Sequence, residues 1–287
     1  MSSLLQQESP ETDAIHIRGV RLPLAELVDR RLFEPECQAA LREKLLGARP
    51  FPHLVVEGIF NPLLLDLVRE EFDTLGGSAW MALKNQYENT RRSALGARLG
   101  AASQLYFDIV YSGWFSQWVS SITNVPYLLP DPRLFGGGLH ESRAGAHFAV
   151  HRDFRYHRFV GLKNEMVFIT YLNKDWRPEW GGALELWDAQ CKRCETHVQP
   201  EFGHSILMLN SPGSYHGHPT PLQAPEDQHR RSIAAYYYTS PMVGGAREDE
   251  VASTFLRTSR MDRAKTMARL LTPPLFWSAA RRFKRRS

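Results

Sequence analysis

The 287-residue sequence has no uninterrupted apolar run close to the eighteen or so residues that a membrane-spanning helix requires. It opens MSSLLQQESPETD, with neither a basic start nor the apolar core of a secretory leader, so a cytoplasmic protein without an integral membrane segment is expected. Cysteine is scarce, with Cys37, Cys191 and Cys194 the only three. An odd, small number in a long chain argues against a disulfide framework and fits a reducing compartment. Cys191-Lys192-Arg193-Cys194 is a CxxC, but a structural zinc would need two more ligands, and Cys37 with an isolated histidine is a poor second half. A hairpin turn carrying two thiols is the preferred reading. Net charge is also small: the formal value is +4, and Arg281, Arg282, Lys284, Arg285 and Arg286 more than account for it. The folded body therefore gives no support for nucleic-acid binding. With Phe276, Trp277 and Phe283 between its charges the tail could touch an anionic membrane, but a solvated tail is preferred.

The chain is 43% hydrophobic and 11% aromatic, ordinary values for a globular protein with a sizeable core. No repeat or low-complexity linker divides it, and all-β domains of this length are common, so one catalytic domain with helical additions is expected. Residues 1–13 are expected to be disordered. Residues 14–133 read as a buttress: a helix over Leu22 to Leu46, a strand at Phe51 to Val56, a helix opened by Asn61-Pro62 as cap and first-turn proline and running through Leu75, and another helix over Ser112 to Ile122. Over 134–240 short apolar runs alternate with Gly, Pro, Asn and Asp, the pattern of an antiparallel sandwich or barrel. Its clearest strands are Met166 to Leu172, Ala183 to Trp187, Ser205 to Leu209 and Ser232 to Tyr238. Residues 241–287 return to a helical segment, over Arg247 to Leu271, and the basic tail.

The chemistry concentrates in that β-rich region. His151-Arg152-Asp153 is an HxD; on a strand, i and i+2 share a face, so His151 and Asp153 can grip one metal while Arg152 points away. Two imidazoles and one carboxylate are the set that holds a redox-active iron by one face and leaves the other open. The third ligand should return beside the first, and Ser214-Tyr215-His216-Gly217-His218 follows the strand Ser205 to Leu209 and a Pro-Gly turn. Either histidine could reach; His216 is preferred for its place relative to that strand, with His218 beside it or merely in a loop. A ferrous oxygen-activating centre needs two further electrons, which a chelating 2-oxo acid supplies by losing carbon dioxide. Its far carboxylate needs a clamp, and Arg230 with Ser232, two apart on one strand face, supplies a guanidinium and a hydroxyl, whereas Arg231 would face the other way.

The series His151-Arg152-Asp153, Tyr171-Leu172-Asn173-Lys174-Asp175-Trp176, Gly181-Gly182, His216 and Arg230-x-Ser232 resembles the iron(II)- and 2-oxoglutarate-dependent oxygenases of the prolyl 4-hydroxylase-like branch, in its bacterial form. The resemblance spans roughly 134–239. It implies a mainly β protein with flanking helices around a double-stranded β-helix, the jelly roll of cupin-like proteins. It implies His151, Asp153 and His216 as ligands of Fe(II), Arg230 on the distal carboxylate of 2-oxoglutarate, and Tyr171 assisting there, with Thr170 facing opposite. It also admits ascorbate as an auxiliary reductant. The sequence departs from the animal prolyl hydroxylases at Glu141, where they carry a tyrosine ten residues before the HxD histidine, and in the longer 219–229 insertion. Both departures weigh against peptidyl-proline as substrate.

The expected function is thus a dioxygenase, a hydroxylase that consumes 2-oxoglutarate and O2, releases succinate and CO2, and oxidises a small organic molecule or biosynthetic intermediate. A peptidyl-prolyl hydroxylase is the alternative within the class. A non-redox jelly-roll sensor holding a metal is the alternative outside it, one that has no need of the Arg230, Ser232 and Tyr171 clamp. The run Arg152, Arg155, His157, Arg158, Lys163 could draw an acidic substrate or be solvated loop charge.

Overall fold

The computed structural model describes residues 13–241 and 253–255. By contacts the chain divides into a unit ending at Thr254 and another from Phe255 to Ser287; the expected helix over Arg247 to Leu271 and the basic tail lie outside the described residues.

The buttress begins with a hairpin, β1 (Ala14–Ile17) and β2 (Val20–Pro23), turned at Arg18-Gly19 with both residues at positive φ. The helix read from Leu22 to Leu46 forms only in its second half. Leu22 lies within β2, short 3-10 turns occupy Leu24–Glu26 and Arg30–Phe33, and α1 is Pro35–Gly47. The leucine spacing misled because Pro23 and Pro35 hold the preceding residues extended, which blocks an α-helix through them. Strand β3 is His53–Glu57. Helix α2 (Pro62–Thr74) opens as its sequence dictates, with the Asn61 side chain accepting the Leu63 N–H. After β4 (Trp80–Lys84) and β5 (Asn89–Ser93) come α3 (Ala101–Val110) and α4 (Gly113–Thr123), the latter capped by Ser112 and ended by Asn124 at φ 59°. Helix α3 has no capping side chain of its own. Buried Glu71 on α2 accepts the N–H groups of Ala102 and Ser103, both at 2.8 Å, and Gly100 makes room, since a β-carbon there would strike the Glu71 carboxyl.

The remaining strands are β6 (Leu129–Pro130), β7 (Gly138–Ser142), β8 (Phe148–Arg152), β9 (Lys163–Tyr171), β10 (Leu184–Trp187), β11 (Cys194–Val198), β12 (His204–Leu209), β13 (Tyr215–His218) and β14 (Arg230–Thr239). They build two antiparallel sheets. The larger runs β3-β12-β9-β14-β7-β5-β4, with β6 beside the far end of β14; the smaller includes β11-β10-β13-β8. Cys191 and Cys194 fall on the β10–β11 hairpin as free thiols.

Alternation along β14 explains how the larger sheet serves two cores. Ile233, Ala235 and Tyr237 pack with the helices, while Ala234, Tyr236 and Tyr238 face the space between the sheets. Both faces are buried, so the sequence reads as a continuous apolar run. The same parity puts Thr170 on the helical side, where its hydroxyl links Tyr106 and Ser205 at 2.8 Å each, and Tyr171 on the inner side, as expected. The Tyr237 hydroxyl donates to the Val110 carbonyl, joining β14 to α3. The tip of the β4–β5 hairpin ties the margins of the two sheets together: Asn89 donates to the His147 carbonyl at 2.9 Å and Ala149 to the Tyr87 carbonyl at 2.7 Å. The result is a jelly roll with the helices stacked on its larger sheet.

Candidate active site

His151 lies on β8 and His216 directly opposite on β13, so their rings meet with centroids 4.6 Å apart. The register shifts between His216 and His218, and Gly217 permits the approach: a β-carbon there would come within 2.8 Å of the Phe148 carbonyl oxygen. Each imidazole is oriented by main chain. His151 Nδ1 lies 2.9 Å from the Ala149 carbonyl and His216 Nδ1 3.0 Å from the Ser214 carbonyl. A carbonyl only accepts, so each Nδ1 carries the proton and each Nε2 keeps its lone pair. Asp153, one residue past β8, sits between them, its oxygens 3.4 Å from His151 Nε2 and 3.9 Å from His216 Nε2.

Electrostatics prepare these groups for a cation. Burial alone would raise the Asp153 carboxyl, but the neighbouring His151 and His216 rings and the Tyr236 hydroxyl bring it down to about 2. Burial, reinforced by His151, pushes His216 down to about 4. At neutral pH the set is therefore a carboxylate facing an unprotonated His216. Ligand atoms of His151, Asp153 and His216 all lie within 4.8 Å of one another, the one such cluster among the described residues. His218 is not part of it. It is buried on the same strand with no hydrogen bond to Nδ1, and burial holds it neutral, with the positive charge of Arg230 adding to the effect.

Across the inner space, Arg230 and Arg231 part by strand parity. Buried Arg230 donates from Nε to the Gly182 carbonyl at 2.6 Å, and its guanidinium carbon lies 5.1 Å from the centroid of the Tyr171 ring. The Tyr171 hydroxyl is buried without a hydrogen-bond partner among the described residues. Burial raises this phenol and the Arg230 charge opposes the rise. Ser232 pairs directly with Tyr171, on the same face. Arg231 instead points to the helical side, to Glu141, Asp73 and the Arg69 carbonyl.

Two features of the sequence take different places from those expected. Glu141 does not face the inner space. It is fully buried on the outer face of β7, where Arg91, Arg143, Arg231 and His229 surround it. Its argument against a peptide substrate thus falls, because the side chain that faces inward at this point of β7 is the neighbouring His140. The basic run after the HxD also disperses. His157 is buried against Asp131 at 3.1 Å, Lys163 pairs with Glu165, Arg155 lies over Tyr156, and Arg152 reaches Pro212 and Thr254. One residue that the sequence reading passed over is Tyr236, whose hydroxyl crosses from the larger sheet to donate to Asp153 Oδ2 at 3.1 Å. Its signal was available: it stands six residues after Arg230, on the same strand parity.

Residues 137–238 match the family model described as the 2OG-Fe(II) oxygenase superfamily. The match covers about a third of the chain, the β-rich core that carries the site. Among solved structures, a Pseudomonas putida prolyl-4-hydroxylase matches with a TM-score of 0.50 at 16% identity, covering 71% of this chain and 100% of that one. A Burkholderia pseudomallei oxidoreductase of the 2OG-Fe(II) oxygenase family gives a TM-score of 0.51 at 11% identity, over 73% of this chain and 94% of that one. No curated protein matches the chain significantly by sequence. A match to that superfamily implies ferrous iron and 2-oxoglutarate, together with O2 and an organic substrate. No helix among the described residues is long and apolar enough to cross a membrane.

Proposed function

We propose that this oxygenase hydroxylates a small organic molecule, holding iron with His151, Asp153 and His216 and 2-oxoglutarate with Arg230, Tyr171 and Ser232. The observation that carries the reading is the convergence of the two histidines and the carboxylate within 4.8 Å, with Arg230 buried across from them. The donor set fits a ferrous ion: two imidazole Nε2 lone pairs and one carboxylate on one side of a cluster, the arrangement that leaves coordination positions free. Bound there, iron supplies the oxygen chemistry, coupling oxidation of 2-oxoglutarate to succinate and CO2 with insertion of the second oxygen atom into a C–H bond.

The chain's own groups bind, orient and exclude water. The Ala149 and Ser214 carbonyls fix the two tautomers, and Tyr236 fixes one oxygen of Asp153. Arg230 is a desolvated cation with its outer nitrogens available for a carboxylate, and the unpartnered Tyr171 hydroxyl is a donor beside it. The tie from the β4–β5 tip to β8 closes one margin between the sheets, which supports a small molecule over a long peptide. Free Cys37, Cys191 and Cys194 support work in a reducing, cytoplasmic compartment, where ascorbate would serve to keep the metal ferrous.

The test supplies Fe(II), 2-oxoglutarate and O2 and follows succinate, with metabolite and peptide pools assayed for the gain of one oxygen atom. Succinate is expected from the native chain and none from Asp153→Ala or His151→Ala. Undiminished turnover in those variants would remove the ligand assignment, and oxygen gain confined to peptides would overturn the small-molecule reading.

A further inference from the structure

The inner face of the larger sheet carries a second cation that the cosubstrate clamp does not use. Strand registers fix a row of residues across four strands: Arg92 on β5 opposite His140 on β7, His140 opposite Ser232 on β14, and Ser232 opposite Tyr171 on β9. Paired residues share a face, so all four side chains project toward the space between the sheets. Strands are spaced by about 4.8 Å, which puts Arg92 roughly 10 Å from Ser232, on the side away from Tyr171. Arg230 and Arg92 thus belong to opposite flanks of one inner surface.

The neighbours show that the position is not simply one more structural arginine. Arg91, next in the chain, faces outward, lies 4.3 Å over the Trp80 ring and pairs with Glu141 at 2.6 Å. Half-buried Arg92 forms no ion pair or hydrogen bond among the described residues. His140 has its Nε2 shut from solvent and likewise without a partner. The positive charge of Arg92 is felt at His140 and at Tyr236, the residue that reaches Asp153. Arg92, a partly desolvated cation with no counter-charge paired to it on the inner face among the described residues, is the essential part of an anion subsite.

We propose that Arg92 receives an oxyanion of the primary substrate, a carboxylate or a phosphate, so that the substrate class is acidic small molecules. This rests on the reading that Arg230 holds 2-oxoglutarate and that His151, Asp153 and His216 hold the metal. Two anions then enter one inner space and are separated by the two arginines. Arg92 is a specificity-determining residue, acting on substrate affinity and orientation.

The experiment loads the full chain with Ni(II) and saturating 2-oxoglutarate, then titrates inorganic phosphate, and separately acetate, while arginine Nε–H signals are followed by NMR. A saturable shift of one signal, absent from Arg92→Gln, is expected. Arg92→Gln should weaken the anion at least tenfold, with 2-oxoglutarate affinity within twofold of the native value. Preference for phosphate or for acetate identifies which oxyanion the subsite takes. No saturable shift, or anion affinity unchanged in Arg92→Gln, overturns the proposal, as does a loss of 2-oxoglutarate affinity in that variant. Failure of the underlying reading looks different: Arg230→Gln would leave 2-oxoglutarate affinity intact, or Ni(II) would bind equally well to Asp153→Ala.

Discussion

At the scale of single residues, adjacent side chains with the same chemistry have opposite tasks. Arg230 is buried beside Tyr171, whereas Arg231 completes an ion cluster on the helical side. Arg230→Ala is expected to raise the apparent KM for 2-oxoglutarate at least tenfold, because it deletes a charge-assisted contact in a desolvated place. Arg231→Ala should instead lower stability and leave that KM within a fewfold range; steady-state succinate formation and denaturant unfolding of both variants check the pair. Tyr236 is the residue-scale counterpart on the metal side. Tyr236→Phe removes only the hydroxyl that donates to Asp153, and a loss of Ni(II) affinity of about 10- to 100-fold is expected by titration calorimetry. Unchanged affinity would show that the hydrogen bond does not orient the carboxylate.

Among the elements, β14 determines most of the arrangement. It borders β9, β7 and β6, and its alternating sides meet both cores. The Glu141 cluster secures its first residues, since Arg231 of β14, Arg91 of β5 and Arg143 converge on one fully buried carboxylate. Removing that charge leaves buried guanidinium groups without compensation, so Glu141→Gln should destabilise the fold by on the order of 3 kcal/mol, read from urea unfolding. Much of β14 was legible in its sequence, because Ser232 to Tyr238 has the composition of a strand buried on both faces. The first half of the Leu22 to Leu46 segment was not, because leucine spacing alone does not register how Pro23 and Pro35 direct the backbone. Helix α3 was hidden for another reason: its cap is Glu71, about thirty positions earlier in the chain, brought there only by packing.

For the whole molecule, buried imidazoles couple stability to pH. Burial, with Arg92 and Arg230 nearby, pushes His140 down to about 4. A depressed histidine favours the folded state above its unfolded value, near 6.5, and that contribution is lost as pH falls toward the folded value. Stability should therefore decline between about pH 6.5 and 4, and His140→Phe should flatten the decline by on the order of 1–3 kcal/mol, measured as unfolding free energy against pH. An equal slope in both proteins would show that His140 is not the group responsible. Metal should act in the other direction: Ni(II) at a hundredfold excess over its Kd stabilises by about 2.7 kcal/mol through mass action. A thermal shift of that origin should vanish in Asp153→Ala.

The sequence by itself determined the reaction class, because the chemistry depends on residue types at short spacings. Two-residue strand periodicity suffices to put His151 with Asp153 and to separate Arg230 from Arg231. It also determined the β-rich core, since short apolar runs such as Ser232 to Tyr238, set off by turn residues, fit strands buried on both faces. Only the tertiary structure decided which groups meet across strands and sheets. Tyr236 reaches Asp153 from the opposite sheet, Glu141 turns outward into a cluster of arginines, and Arg92 joins the inner row through the register of β5 on β7. Local propensity carries no information on register between distant segments. A slip by one residue would exchange Arg92 with Arg91, and with them the face that receives an anion for the face that holds the fold together.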